Sequence, residues 1–210
     1  MNPVILTSAY LAPVQYYTKL YAAPQVIEER FDHYVKQTYR NRCVIAGPNG
    51  PLALTLPIAH TEVLKPTTRD IRLSDHGNWR HLHWNALQSA YDKSPYFEYY
   101  ADDFRPFYEK RYDYLVDFNE GLRATVCELL GLQPQIEVTT AYEEHPGYDD
   151  FRELIRPKVD FATDKTFRAL PYYQVFSQKT GFLPNLSILD LLFNMGPESR
   201  LVLRDAIVEP

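Results

Sequence analysis

The chain has 210 residues, with 22 Lys plus Arg against 27 Asp plus Glu and a net charge of -5, a balance that excludes general affinity for a nucleic-acid backbone. Its length suits a single domain, 1–210, that forms a core without disulfides or metals, and it contains no apolar run approaching a membrane span. Cys43 and Cys127 lack CxxC spacing, and the start of the chain holds Pro3 and Pro13 but no positive n-region, so a cytoplasmic location is expected.

Val4 to Thr7 reads as a first strand, Ala9 to Ala12 as a loop, and Pro13 to Ala22 as a helix opened by one proline and closed by Pro24. Gln25 to Glu29 follows as a second strand, which completes a minimal, right-handed βαβ unit. Ligands of open α/β sheets bind beyond the carboxyl ends of the strands, here Ser8 to Leu11 and Glu28 with Glu29. Two apolar runs joined by Gly47, Pro48, Asn49 and Gly50 predict a β-hairpin with positive φ in its turn. Asp70 to Leu73 is expected to be a short strand.

Ser74 to Asn78 carries capping residues for a helix over Trp79 to Tyr91. Trp79, Leu82, His83, Ala86, Leu87, Ala90 and Tyr91 recur at helical spacing, which turns His83 inward and His81 outward. A helix from Pro95 to Tyr108, interrupted at Pro106, precedes the longest one, Asp113 to Leu130. Ile136 to Thr140 reads as a strand, and Glu143 to Pro171 as a long excursion covering the site. Tyr172 to Ser177 is expected to be a strand, Ser187 to Phe193 a capped helix, and Pro197 the opening of a last helical turn. The fold class is α/β: one domain whose mixed sheet contains an N-terminal βαβ unit and a β-hairpin, with a helical middle segment.

The candidate site centres on Lys36 to Arg42. Arg40 and Arg42 are expected to point apart, one reaching a cleft while the other stays solvated, and a guanidinium fork suits phosphate or carboxylate. The structural alternative is an ion pair with Glu28 or Glu29. His83, an enclosed imidazole, is the candidate general base, although a histidine on an apolar face is more often a satisfied core residue. Among 17 tyrosines and 11 phenylalanines, most rings cover irregular surface, and the sharper reading is a wet pocket for a sugar or base. His81 and His83 face different ways, and no spacing among Asp102, Asp103, Glu143, Glu144 and His145 is specific to zinc, so no metal is expected. GxSxG, Walker and GxGxxG motifs are absent, and burial would make Cys43 inert. The sequence names no cofactor.

Five segments in the same order, YLAPVQYYTKLY, KQTYRNRCVI, the helix from Trp79 through His83 to Tyr91, SPYFEYY, and SILDLLFNMGPES, resemble the WbqC-like family over nearly the whole chain. The resemblance implies a link to lipopolysaccharide O-antigen synthesis without a secure reaction. The family's QPxxxPxxGYF-like opening survives here as Tyr10, Pro13 and the pair Tyr16 and Tyr17, and its Gly-rich middle is shorter, which leaves Asp149 to Lys158 as a replacement for any chemistry carried there. On this basis Arg40, Arg42 and Lys36 are expected to hold phosphate, and Tyr10, Tyr16 and Trp79 to line a sugar or base subsite. His83 would deprotonate an acceptor. Pro13, Glu28, Tyr39, Asn41, Tyr91 and Tyr96 complete the expected ligand-binding set. The function expected is acyl or aminoacyl transfer to a nucleotide-linked amino sugar in surface-polysaccharide synthesis. The alternatives are a non-catalytic binding or assembly protein using the same cleft, and a nucleotidyltransferase-like nucleotide binder.

Overall fold

The computed structural model describes residues 1–209. Its elements are β1 (Val4–Thr7), α1 (Val14–Ala22), β2 (Val26–Glu29), β3 (Arg42–Gly47), β4 (Gly50–Thr55), α2 (Trp79–Tyr91), α3 (Phe97–Glu109), α4 (Leu115–Leu129), β5 (Ile136–Val138), β6 (Asp149–Asp150), α5 (Ser177–Thr180), α6 (Ile188–Met195) and α7 (Ser199–Asp205). The fold is mixed α/β. Its strands divide between a parallel four-stranded sheet, in the order β5-β2-β1-β6, and the antiparallel hairpin β3-β4.

The sheet grows outward from β1 in one direction through β2 and β5, then resumes on the other side of β1 with β6. That reversal makes the carboxyl ends of β1 and β6 a topological switch point, where neighbouring connections leave in opposite directions and a crevice opens. β6 pairs Val4 with Asp149 and Ile5 with Asp150. It lies within the segment 143–171 read as an excursion, and the backbone rather than any apolar pattern recruits it, through Asp149 N–H to Pro3 O and Phe151 N–H to Ile5 O.

α1 is buried from Val14 to Leu20, packing against α6 and α7, so its polar residues need internal partners. Thr18 bonds back to Gln15 O, Gln15 donates to Asp164, and Lys19 pairs with Asp164 at 2.7 Å and Thr166 at 2.6 Å. The start of the helix is covered as well. Val14 N–H donates to Leu186 O, Gln15 N–H to the Asn185 side chain and Tyr16 N–H to Pro13 O, while Ile188 N–H reaches Ala12 O. A strap at 185–188 therefore seals the β1–α1 turn.

Several local expectations change. In the hairpin, Pro48 and Asn49 form the loop and the positive φ falls on Gly50 (φ 117), just after it. Residues 68–70 form a 3-10 turn, and the expected strand at Asp70 to Leu73 reduces to single bridges, Arg72 with Tyr114 and Leu73 with Ile58. α3 runs through Pro106 to Glu109. Leu82, expected on the inner face of α2, is 59% exposed. Tyr172 to Ser177 forms no strand, and the side chains of Tyr172 and Gln174 bond the buried Asp190.

Candidate functional site

A cavity of about 620 Å³ opens at the carboxyl edge of the parallel sheet, lined by Phe31, Asp32, His33, Val35 and Arg40 after β2, Tyr142 after β5, and Asp150, Arg152, Glu153 and Arg156 in and after β6. Register explains the grouping. β2 places Glu29 opposite Thr7 on one side of β1, and extending the β6 pairing by two residues brings Arg152 level with Thr7 on the other. A second cavity of about 490 Å³ shares Phe31 and continues along the same edge past Arg69, Tyr114 and Thr139.

The charged groups of the main cleft are matched pairwise. Arg40 bonds Asp32 and reaches Thr68 Oγ1 at 3.3 Å, while Thr68 donates to the other Asp32 oxygen at 2.6 Å. Arg152 grips Asp150, Nε to Oδ1 at 2.9 Å and Nη2 to Oδ2 at 2.6 Å, with its guanidinium 5.7 Å from the Tyr142 ring centroid. Arg156 pairs with Glu153. Burial would raise the Asp150 carboxyl, but hydrogen bonds from the Arg152 side chain and backbone outweigh it and hold that group below the usual carboxylate range. The cleft thus presents three cations and three anions, together with His33 and two aromatic rings, to whatever enters. Such a lining suits a molecule carrying both signs of charge.

Of the catalytic and ligand-binding residues expected individually from sequence, Arg40 alone lines this cleft. Its ion-pair partner is Asp32 instead of Glu28 or Glu29. Arg40 and Arg42 do point apart, because Arg40 lies in the turn before β3, whereas positions two apart within a strand would share a face. Arg42 sits on the hairpin, bonded to Thr55, and Lys36 is exposed outside the cleft. Asn41 ties the hairpin together through Leu56 O. Glu28 is buried between Arg30 and Arg123.

Tyr10, Tyr16, Trp79, His83 and Tyr91 are in the core and line neither of these two cavities, and Tyr39 and Pro13 are buried in the chain segments around them. Tyr16 Oη donates to Thr7 O at 3.0 Å, Trp79 Nε1 to Ser74 O at 2.8 Å, and Tyr91 Oη to Asp190 at 3.0 Å. Tyr10 Oη stands 3.0 Å from His83 Nδ1 and 2.9 Å from Tyr108 Oη. Burial drives His83 down to about 4, opposed by its bond to the Thr55 backbone, so the ring is neutral, satisfied and away from the cleft. Tyr96 is half-buried over Gly196.

The sequence reading passed over Phe31, Asp32, His33, Val35 and Tyr142, and it touched Asp150, Arg152, Glu153 and Arg156 only as part of Asp149 to Lys158. A usable signal was present in DDFRELIR, where acids precede arginines by two and three positions, and in the structure Asp150 and Glu153 do hold Arg152 and Arg156. Among the described residues, no three His, Cys, Asp or Glu side chains are grouped to hold a metal ion, and no helix is long and apolar enough to cross a membrane.

The model of the WbqC-like protein family matches residues 8–156, a span that runs from the end of β1 to Arg156 and so contains every residue of the cleft. The chain is also 27% identical over 194 residues to the uncharacterized protein Rv1507c of Mycobacterium tuberculosis, covering 81% of this chain and 84% of that protein. No solved structure matches it.

Proposed function

Starting from the fact that the chain belongs to the WbqC-like protein family, we propose that it is a cytoplasmic transferase acting on a nucleotide-linked amino sugar in surface-polysaccharide synthesis. The observation that carries this reading is the position and lining of the cleft. It lies at the switch point of a parallel sheet, and Arg40, Arg152 and Arg156 converge there beside Phe31 and Tyr142. Arginine forks recognise phosphate or carboxylate, and flat rings stack on sugars and bases. The sealed β1–α1 turn moves the phosphate-binding role away from the first helix, toward the segments after β2 and β6. This weakens a nucleotidyltransferase-like reading, which needs that turn open. His33 is the histidine on the cleft wall and takes the general-base role in place of His83.

A non-catalytic binding role is favoured by one observation, that each arginine of the cleft already has a carboxylate partner. Thermal unfolding in the presence of nucleotides, nucleotide sugars, amino sugars, acyl-CoA and amino acids separates the two. A ligand at about 100 times its Kd adds roughly 2.7 kcal/mol. A transferase is expected to be stabilised by both a donor and an acceptor class, with the shifts lost in Arg156→Ala and kept in Arg42→Ala. Stabilisation by a single class supports the binding role, and the absence of any shift overturns the small-molecule reading altogether.

A further inference from the structure

Glu29 ends β2 with a carboxylate that is 0% exposed. One oxygen is fully used, since Oε1 accepts Phe31 N–H at 2.6 Å and Thr139 Oγ1–H at 3.0 Å. The other, Oε2, is buried and has no hydrogen-bond partner. Its nearest cation is Arg152 Nη1 at 3.9 Å, too far for a hydrogen bond. Asp150 holds the Nε and Nη2 edge of the guanidinium, which leaves Nη1 turned toward Glu29 but short of bonding distance. A buried acceptor left in this state costs about 1–3 kcal/mol, and more when it is charged.

Glu29 and Arg152 flank Thr7 from the two strands beside β1, so the guanidinium lies as a bar across the carboxyl end of the central strand, where ligands of such sheets sit. It is an exchangeable bar. Asp150 and Tyr142, which hold it from outside, face solvent, and the Tyr142 ring is 60% exposed. Whatever displaces a guanidinium from between two carboxylates has to bring positive charge of its own, because a buried anion stripped of its partner is strongly destabilising. The displaced arginine then needs an anion.

We propose that Glu29 Oε2 and Asp150 receive a protonated primary amine of the bound molecule, while Arg152, turned away from both, pairs with an anionic group of that same molecule. The inference rests on the cleft being the substrate site and names the chemistry that site selects. Free amino sugars attached to phosphate and α-amino acids both carry this chemistry. A compact ammonium is a point charge that can address a single carboxylate oxygen, whereas the planar guanidinium is committed to Asp150 by its flat edge.

The test is calorimetric binding of UDP-glucosamine and UDP-N-acetylglucosamine, with alanine and N-acetylalanine as the second pair, to the wild type and to Glu29→Gln. The glutamine keeps an acceptor for Phe31 and Thr139 and removes the charge. The amine-bearing member of one pair is expected to bind about tenfold or more tightly than its acetylated counterpart, with the preference lost in Glu29→Gln. The pair that shows it distinguishes sugar from amino acid. Equal binding of amine and acetyl forms overturns the inference while leaving the cleft a nucleotide-sugar site. Binding of none of the four overturns both. If Glu29→Gln does not fold, the wild-type pH dependence decides: affinity has to fall as the probe's amine loses its proton, and a flat profile overturns the assignment.

Discussion

Acidification should destabilise this protein partly through His83. The imidazole is 6% exposed, and burial lowers its pKa from 6.5 to about 4. In the unfolded chain the ring takes up a proton below about pH 6.5, whereas in the folded chain it stays neutral until about pH 4. Unfolding therefore binds a proton between these values, and the stability contributed by the neutral ring is lost as the pH falls through that window. The whole difference amounts to roughly 3 kcal/mol. Asp190 works in the opposite sense. Burial pushes its carboxyl up to about 6 against hydrogen bonds from Tyr172, Gln174 and Tyr91, so its folded form binds the proton first and gains stability on acidification. His83→Gln isolates the imidazole from such groups. Urea unfolding at pH 7 and pH 4.5 should show the wild type losing about 2–3 kcal/mol more than the variant. An equal loss in both would refute the neutral, buried ring and restore His83 as a base titrating near neutrality.

Lys19→Met should cost about 3–5 kcal/mol, because it strands Asp164 beside a lysine site that is itself 0% exposed. The pair Lys19→Met with Asp164→Leu should lose less than the single change, and a double-variant loss equal to the sum of the two singles would mean the ion pair is not coupled. Gly196→Ala is expected to cost about 2–4 kcal/mol, since the residue sits at φ 53 and a Cβ there would lie 2.5 Å from the Tyr96 ring. Thermal unfolding should register this as a fall of several degrees, and an unchanged Tm would show that the ring moves aside freely.

The βαβ unit was legible because Pro13 and Pro24 bracket α1, VILT is apolar up to its threonine, and VIEE opens on two β-branched residues. The face of α2 was legible at Trp79, His83 and Tyr91, though not at Leu82, which follows the period yet meets solvent. β6 left no trace, since two aspartates carry no hydrophobic pattern and only the parallel ladder to β1 makes them a strand. That omission hid the cleft, one wall of which consists of β6 and the residues after it. Arg40 was found through its composition, whereas Asp32 escaped because nothing in sequence spacing says which of several acids a turn will bring to an arginine. The tyrosines misled for a related reason. A tyrosine looks amphipathic in the sequence wherever it stands, but Tyr10 and Tyr91 satisfy their hydroxyls inside the core and need no surface.

The strap at 185–188 also bears on how the chain reaches its native state. The first helix is made early, yet the groups that receive its opening amides belong to residues about 170 positions later, as with Gln15 and Asn185. During synthesis the N-terminal βα turn leaves the ribosome with Gln15, Lys19 and the helix start unpaired, and it stays so until translation has passed α6. Contacts of such sequence separation make folding slow and late. The protein should therefore depend on chaperones while it is being made, and a chain cut short before residue 185 should aggregate instead of forming a stable N-terminal half.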